Sequence, residues 1–361
     1  MLLSDYRPKS QLVTRTTRIE RPRYPVIDAH NHLGESFGGG WNSKPLSQLL
    51  DVLDEAGVVE YFDLDGGWGE QILHEHLDYF KSRAPERFHI FGGVNWTQWG
   101  NLGEKFPDWA ASRLRIQQQR GAEGLKIWKE FGLNVQDQEN QLVRVDDARL
   151  TPLWETAGEL KLPVIIHVAD PVAFFQPQDQ FNERLEELET HPDWAFLSPP
   201  FPSFISILEG LASLVAQHQN TIFIGAHVGC YAENLAWVSS LLERCPNFYV
   251  DISARIGELG RQPNSARKFF LQHADRILFG SDMGPDLEAY RIIYRFLETD
   301  DEYFSYDPQE KPRQGRWNIY GIHLPADVLE KVYFTNAKNI LPNERKNEQK
   351  NGDRNFVGPV G

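Results

Sequence analysis

Four histidines and one aspartate interrupt apolar runs of this sequence where a hydrocarbon side chain would be expected. His30 and His32 lie in P-V-I-D-A-H-N-H-L-G, His167 near the end of L-P-V-I-I-H-V, His227 at the end of T-I-F-I-G-A-H and Asp282 at the end of R-I-L-F-G-S-D. Side chains on a strand alternate faces, so His30 and His32 point the same way. Two imidazoles at one strand end form half of a metal site, and imidazole with carboxylate suits Zn²⁺, with Fe²⁺ or Mn²⁺ as alternatives. His74 and His76 have the same spacing in I-L-H-E-H-L-D-Y-F. That stretch reads as helix, where residues two apart face away from each other, so the second pair is not a chelate.

These residues need elements that bring them together. Apolar strand-like runs recur eight times, each followed by a helical pattern: residues 25–34, V-V-E-Y-F-D-L-D, F-H-I-F-G-G-V-N-W, G-L-K-I-W, L-P-V-I-I-H-V, T-I-F-I-G-A-H, N-F-Y-V-D-I-S and R-I-L-F-G-S-D. Alternating strands and helices imply parallel pairing, and eight units predict an α/β fold closed as a (β/α)₈ TIM barrel. Pro45 and Gly57 bracket the first helix. Residues 1–24 read as an N-terminal arm, 25–341 as the barrel and 342–361 as a polar tail. A long stretch after strand five, residues 170–202, reads as a lid or binding loop.

Barrel enzymes place their chemistry at the C-terminal strand ends. Beyond the five residues above, those ends carry Asn95 after strand three, Lys126 and Trp128 at strand four, and Asp251, Ser253 and Arg255 at strand seven. Arg255 offers a bidentate fork for a carboxylate, and Lys126 a second cation for an anionic group. Asn95 and Trp128 complete the expected substrate-binding set, and Trp68, Trp96, Phe174 and Phe175 are further candidates for pocket walls. Asp63 and Asp65 are expected in a solvated loop start, and Cys230 is expected to be structural.

The chain has 361 residues, ample for one large domain. Its formal net charge of −14 argues against nucleic acid or an anionic membrane as partner. The N-terminus lacks the apolar core of a signal peptide, no run reaches transmembrane length, and two cysteines make no disulfide framework. A cytoplasmic protein acting on a small molecule is the expectation.

The pattern H-x-H on strand one, His on strands five and six and Asp on strand eight resembles the amidohydrolase superfamily. It is most similar to the amidohydrolase-related branch that includes aminocarboxymuconate-semialdehyde decarboxylase. V-I-D-A-H-N-H, I-G-A-H-V-G, I-L-F-G-S-D-M and V-Y-F-T-N-A-K-N-I-L carry the resemblance over nearly the whole chain. It implies one divalent metal on His30, His32, His167 and Asp282, with His227 beside it as acid/base and Asp282 shuttling a proton. It also implies a second metal if Lys126 is carboxylated, and a homodimer with residues 303–306 as one contact. The leading expectation is a metal-dependent hydrolase of an ester, lactone or amide that uses a metal-activated water. The alternative is a metal-dependent non-oxidative decarboxylase of a small carboxylic acid. Hydrolysis leads only because more of the superfamily hydrolyses.

Overall fold

The computed structural model describes residue 6 and residues 9–342; the expected polar tail beyond Pro342 lies outside the described residues. Eight strands alternate with helices as β1 (Val26–Asn31), α1 (Leu46–Ala56), β2 (Val58–Asp63), α2 (Glu70–His76), β3 (Phe88–Gly92), α3 (Phe106–Gln119), β4 (Gly124–Ile127) and α4 (Thr151–Leu160). The second half runs β5 (Val164–Ile166), α5 (Phe204–Gln217), β6 (Phe223–Gly225), α6 (Leu235–Arg244), β7 (Phe248–Asp251), α7 (Pro263–Gln272), β8 (Ile277–Leu278) and α8 (Leu287–Glu298). All neighbouring pairs are parallel and in sequence order from β1 to β8. Two backbone hydrogen bonds, from Ala29 N to the Phe279 carbonyl and from Asp282 N to the His30 carbonyl, both 2.9 Å, join the last strand region to the first. The fold is a (β/α)₈ barrel.

Local chemistry sets the element ends. α1 stops at Gly57, whose φ of 78° only glycine adopts without strain. Ser203 caps α5 by accepting from Ser206 N, and Asp286 caps α8 by accepting from Ala289 N. Packing divides into two layers. Ile27, Ala29, Phe62, Phe91, Ile165, Ile224 and Leu278 fill the barrel, and a short closing helix, α9 (Asn336–Ile340), adds Ala337 and Ile340 to that cluster. A larger apolar shell lies between barrel and helices. No helix among the described residues is long and apolar enough to cross a membrane.

Residues 9–24 carry no helix or strand, and Thr17 fastens this arm to Asp301 through its amide (2.6 Å) and hydroxyl (2.8 Å). Residues 170–202 contain one short helix, Leu185–Thr190, and two single turns, Val172–Phe175 and Pro192–Trp194. Of the aromatic insertion, Phe304 and Tyr306 are buried within the chain, leaving Tyr303 more open.

Candidate metal centre and substrate cavity

The strand ends present their polar residues through unusual backbone. Ile27 and Ala29 both face the barrel interior, so strict alternation would place Asn31 inward and the histidines outward. The register to β2 shifts between Asp28 and Asn31. That irregularity returns His30 and His32 to the mouth, while Asp28 and Asn31 bond each other and Ser281 behind the strand. Beyond β6, His227, Val228, Gly229 and Cys230 are all left-handed, with φ of 58°, 60°, 64° and 61°. Ala254 after β7 (52°) and Asp282 after β8 (54°) are left-handed too. Such conformations cost a non-glycine residue about 1–2 kcal/mol each. They sit at three successive strand ends, where they re-aim the chain into the mouth.

His30 and His32 are buried, and each is fixed through Nδ1 by a carboxylate. Asp251 Oδ2 lies 2.8 Å from His30 Nδ1, and Asp65 Oδ1 lies 2.8 Å from His32 Nδ1. The Nε2 atoms then face Asp282 Oδ1, at 3.9 Å from His30 and 3.2 Å from His32. A carboxylate behind an imidazole fixes its tautomer and raises its basicity as a ligand. His30, His32 and Asp282 thus form a ligand-type cluster with all three donor atoms within 4.8 Å. Burial disfavours charge on His32, but its bonds to Asp282 and Asp65 outweigh that and raise its pKa to about 9.

His227 lies beside this cluster. Its ring centroid is 4.8 Å from that of His30, its Nδ1 is 2.9 Å from the Ser253 carbonyl, and its Nε2 is 3.8 Å from Asp282 Oδ2. Burial, reinforced by Arg255, holds its pKa well below the usual histidine value, so it is neutral. His167 packs edge-on against His227 with centroids 4.5 Å apart. Its Nε2 is directed at Asp170, 3.2 Å away, and it stands outside the three-residue cluster. Burial pushes its pKa down to about 4.

The sequence profile of the family described as "Amidohydrolase" matches residues 27–342. The chain belongs to that family. No curated protein matches it. Among solved structures, it is similar to 2,6-dihydroxybenzoate decarboxylase from Rhizobium, at 17% identity and TM-score 0.53 over 88% of this chain and 98% of that one. It is similar to 5-carboxyvanillate decarboxylase from Novosphingobium aromaticivorans, solved with manganese and 4-hydroxy-3-methoxy-5-nitrobenzoic acid. There the identity is 13% and the TM-score 0.53 over 90% of this chain and 99% of that one. A putative amidohydrolase from Staphylococcus aureus is similar at 14% identity and TM-score 0.55, over 88% and 99%. At these identities the likeness is one of fold.

The mouth of this amidohydrolase barrel opens into a cavity of about 830 Å³, lined by His30, His32, His167, His227 and Asp282 and roofed by residues from the 170–202 and 306–314 segments. Trp128 stacks on His32 (5.3 Å) and on Trp68 (3.8 Å), and Phe37 leans over both indoles. Arg255 is buried at the cavity wall; its guanidinium donates to the Ala254 carbonyl (2.8 Å), and among the described residues no carboxylate is in ion-pair contact with it. Lys126 is buried with Nζ 3.2 Å from His30 Nε2 and over the Trp128 ring at 4.6 Å. Burial brings its pKa down to about 8. Its ammonium donates to the same His30 lone pair that a metal would use, so the two uses exclude each other.

Two readings from sequence need correction. Asn95 does not reach this cavity: its side-chain oxygen caps the Trp96–Gln98 turn by accepting from Thr97, because β3 ends at Gly92 and the chain turns away before residue 95. Asp63 and Asp65 are not solvated. Asp65 orients His32 and also accepts from Leu33 N (3.0 Å) and Gly34 N (2.6 Å). Asp63 lies 2.5 Å from His76 Nδ1. His76 is buried while His74 faces Arg120, the divergence that helical spacing requires. The carboxylates behind the histidines, Asp65 and Asp170, are the functional residues the sequence reading missed. The available signal was an acidic residue two to four positions past a strand end, the usual source of an imidazole's second hydrogen bond.

Proposed function

We propose that this amidohydrolase-family enzyme is a metal-dependent, non-oxidative decarboxylase of a small aromatic carboxylic acid. One observation carries the reading: Arg255 is a buried guanidinium at the cavity wall that, among the described residues, bonds the Ala254 carbonyl and pairs with no carboxylate. Glu187, Glu233 and Glu258 supply charge nearby but none pairs with it directly, so a substrate carboxylate in the cavity can take the guanidinium fork. The stacked indoles of Trp68 and Trp128 beside His32 suit an aromatic ring. Two of the similar solved structures are decarboxylases of hydroxylated benzoates. Hydrolysis, the leading expectation from sequence, rests on frequency in the superfamily and on no residue of this chain.

His30, His32 and Asp282 would hold a divalent ion, with His167 turning from Asp170 to complete the set; the paired Nδ1 atoms and convergent Nε2 atoms are the donor chemistry such an ion needs. Manganese, zinc or ferrous iron bound there would supply Lewis-acid polarisation of a substrate oxygen. Arg255 binds and orients the substrate anion. As the bond from ring carbon to carboxylate breaks, CO₂ leaves and its electron pair stays on carbon, which takes a proton. Asp282 is ionised at rest, held well below the usual carboxylate range by His30, His32 and His227 against its own burial, so the proton comes from solvent: His227 takes it on Nε2, 3.8 Å from Asp282, and the carboxylate passes it to carbon.

The test is a paired assay on protein analysed for metal content. Hydroxybenzoates should yield CO₂ and the corresponding phenol in equal amounts with about one metal per chain. Turnover of esters or lactones without CO₂ release would overturn the reading, as would two metals bridged by a carboxylated Lys126.

A further inference from the structure

A second cavity of about 920 Å³ lies on the far side of the Trp68–Trp128 stack, between the ends of β3 and β4 and the face of α3. Its walls have a definite chemistry. Trp96 has one face stacked on Phe131 (4.7 Å, 6° between planes), and Trp109 on α3 packs beside Phe106; both remain half-buried at the cavity. Primary amides line the same cavity, Gln98 half-buried and Asn134 and Gln136 exposed at its rim. Among the described residues, Gln98, Asn134 and Gln136 make no side-chain hydrogen bond to the protein. The lining cation, Arg113, is committed to Glu70, with Nε 2.7 Å from one carboxylate oxygen and NH2 on the other. Asp137 is likewise committed, to Arg149 (2.9 Å).

We infer that this cavity is a second ligand site for a neutral, hydroxylated ring such as a glycosyl or polyol group. Each amide carries both donors and acceptors, and a hydroxyl is the ligand group that answers both at once. The indole faces match the apolar C–H faces of a saturated ring, which they cover without needing charge. An anion finds no uncommitted cation here. A ligand cation would need a carboxylate inside the cage, and two of the three that line it are already paired. The site shares Trp68 and Trp128 with the metal-site cavity, so the hydroxylated ring is either a separate molecule or a substituent of the substrate itself; both present the same group to these walls.

Titration of the whole protein with methyl glycosides, followed by tryptophan fluorescence, reads the site independently of turnover. Saturable binding is expected with dissociation constants of about 0.1–10 mM, the range of a small neutral ligand. Trp109→Ala and Gln98→Ala, which lie away from the metal site, should each weaken binding at least about tenfold while leaving turnover of a simple hydroxybenzoate unchanged. Gln98→Ala sits on an exposed turn and keeps the measurement valid if Trp109→Ala fails to fold. A carboxyphenyl glycoside that binds at least tenfold tighter than the methyl glycoside identifies the ring as a substrate substituent; equal binding identifies a separate molecule. Absence of saturation at about 50 mM for all glycosides, or saturation by tetramethylammonium or benzoate alone at this site, would overturn the inference.

Discussion

Asp65 and Asp251 each hold one histidine of the first strand by its Nδ1, and this turns both Nε2 atoms toward Asp282. Removing such a partner typically costs 10–100-fold in metal affinity. Asp65→Ala is therefore expected to lower metal affinity by about that factor, measured by competition with a chelator, while the barrel stays folded. His227 has a different job. Its Nδ1 is on the Ser253 carbonyl and its Nε2 faces Asp282, which in the proposed reaction makes it the proton relay. His227→Asn should lower kcat by about 10²–10⁴ with metal content unchanged; loss of metal with the imidazole would show that it is a ligand. At this scale the sequence was informative where a polar residue interrupts an apolar run, as at His30, His32, His167, His227 and Asp282. It was silent about Asp65, because a carboxylate at a loop start looks the same whether water or an imidazole receives it. Asn95 falls at the second cavity and not at the metal-site cavity because its distance past β3 is set by where the strand stops, which the apolar pattern leaves open by several residues.

Elements explain how those residues converge. Period and length located all eight strands, since each is a short apolar run covered on both faces. The departures from regularity were not legible: the register shift after Asp28 and the left-handed stretch from His227 to Cys230 leave no mark in residue type, and Val228 is a poor candidate for positive φ. The long segment after β5 was visible as an insertion, but its fastening was not. Arg184 within it is fully buried and bonds Glu187 (2.6 Å) and Glu258, and Arg261 bonds Glu183 (2.7 Å), so the segment is clasped to the helix that follows Arg255. Breaking a buried pair by removing one partner costs about 3–5 kcal/mol. Arg184→Met should therefore free the roof of the cavity. The expected signs are faster proteolysis within residues 170–202 and a KM raised at least about tenfold with a smaller change in kcat, because Arg255 and the roof lose their shared support.

The whole molecule separates chemistry from stability along the barrel axis, as barrels generally do. The mouth carries the histidines, the strained backbone and the cavity. The opposite end carries a charged plug: His89 on β3 donates from Nδ1 to Glu123 and from Nε2 to Glu60, both at 2.8 Å, while Lys81 and Lys338 complete the two carboxylates at 2.7 Å. Lys338 belongs to α9, the helix that also closes the barrel interior with Ala337 and Ile340. An imidazole donating from both nitrogens is protonated. Burial opposes that charge, but Glu123 and Glu60 outweigh it and raise the His89 pKa above its ordinary value, while the same contacts lower both carboxylates against their own burial. The raised histidine contributes stability that is complete below its unfolded pKa of about 6.5 and is lost as pH rises through the folded value. The lowered glutamates contribute stability that is complete above about 4.3 and is lost as pH falls through their folded values. The melting temperature should accordingly be highest between about pH 5 and 6.5 and fall on both sides. His89→Gln can donate to only one carboxylate and leaves the other with its lysine alone, at a cost of about 1–3 kcal/mol. Thermal melts across pH should show the variant destabilised and its alkaline fall flattened, while kcat/KM for the proposed carboxylic acid substrate stays near that of the parent. An equal loss of activity at a temperature where the variant is fully folded would mean that the two ends of the barrel are coupled, and that the plug also positions the mouth.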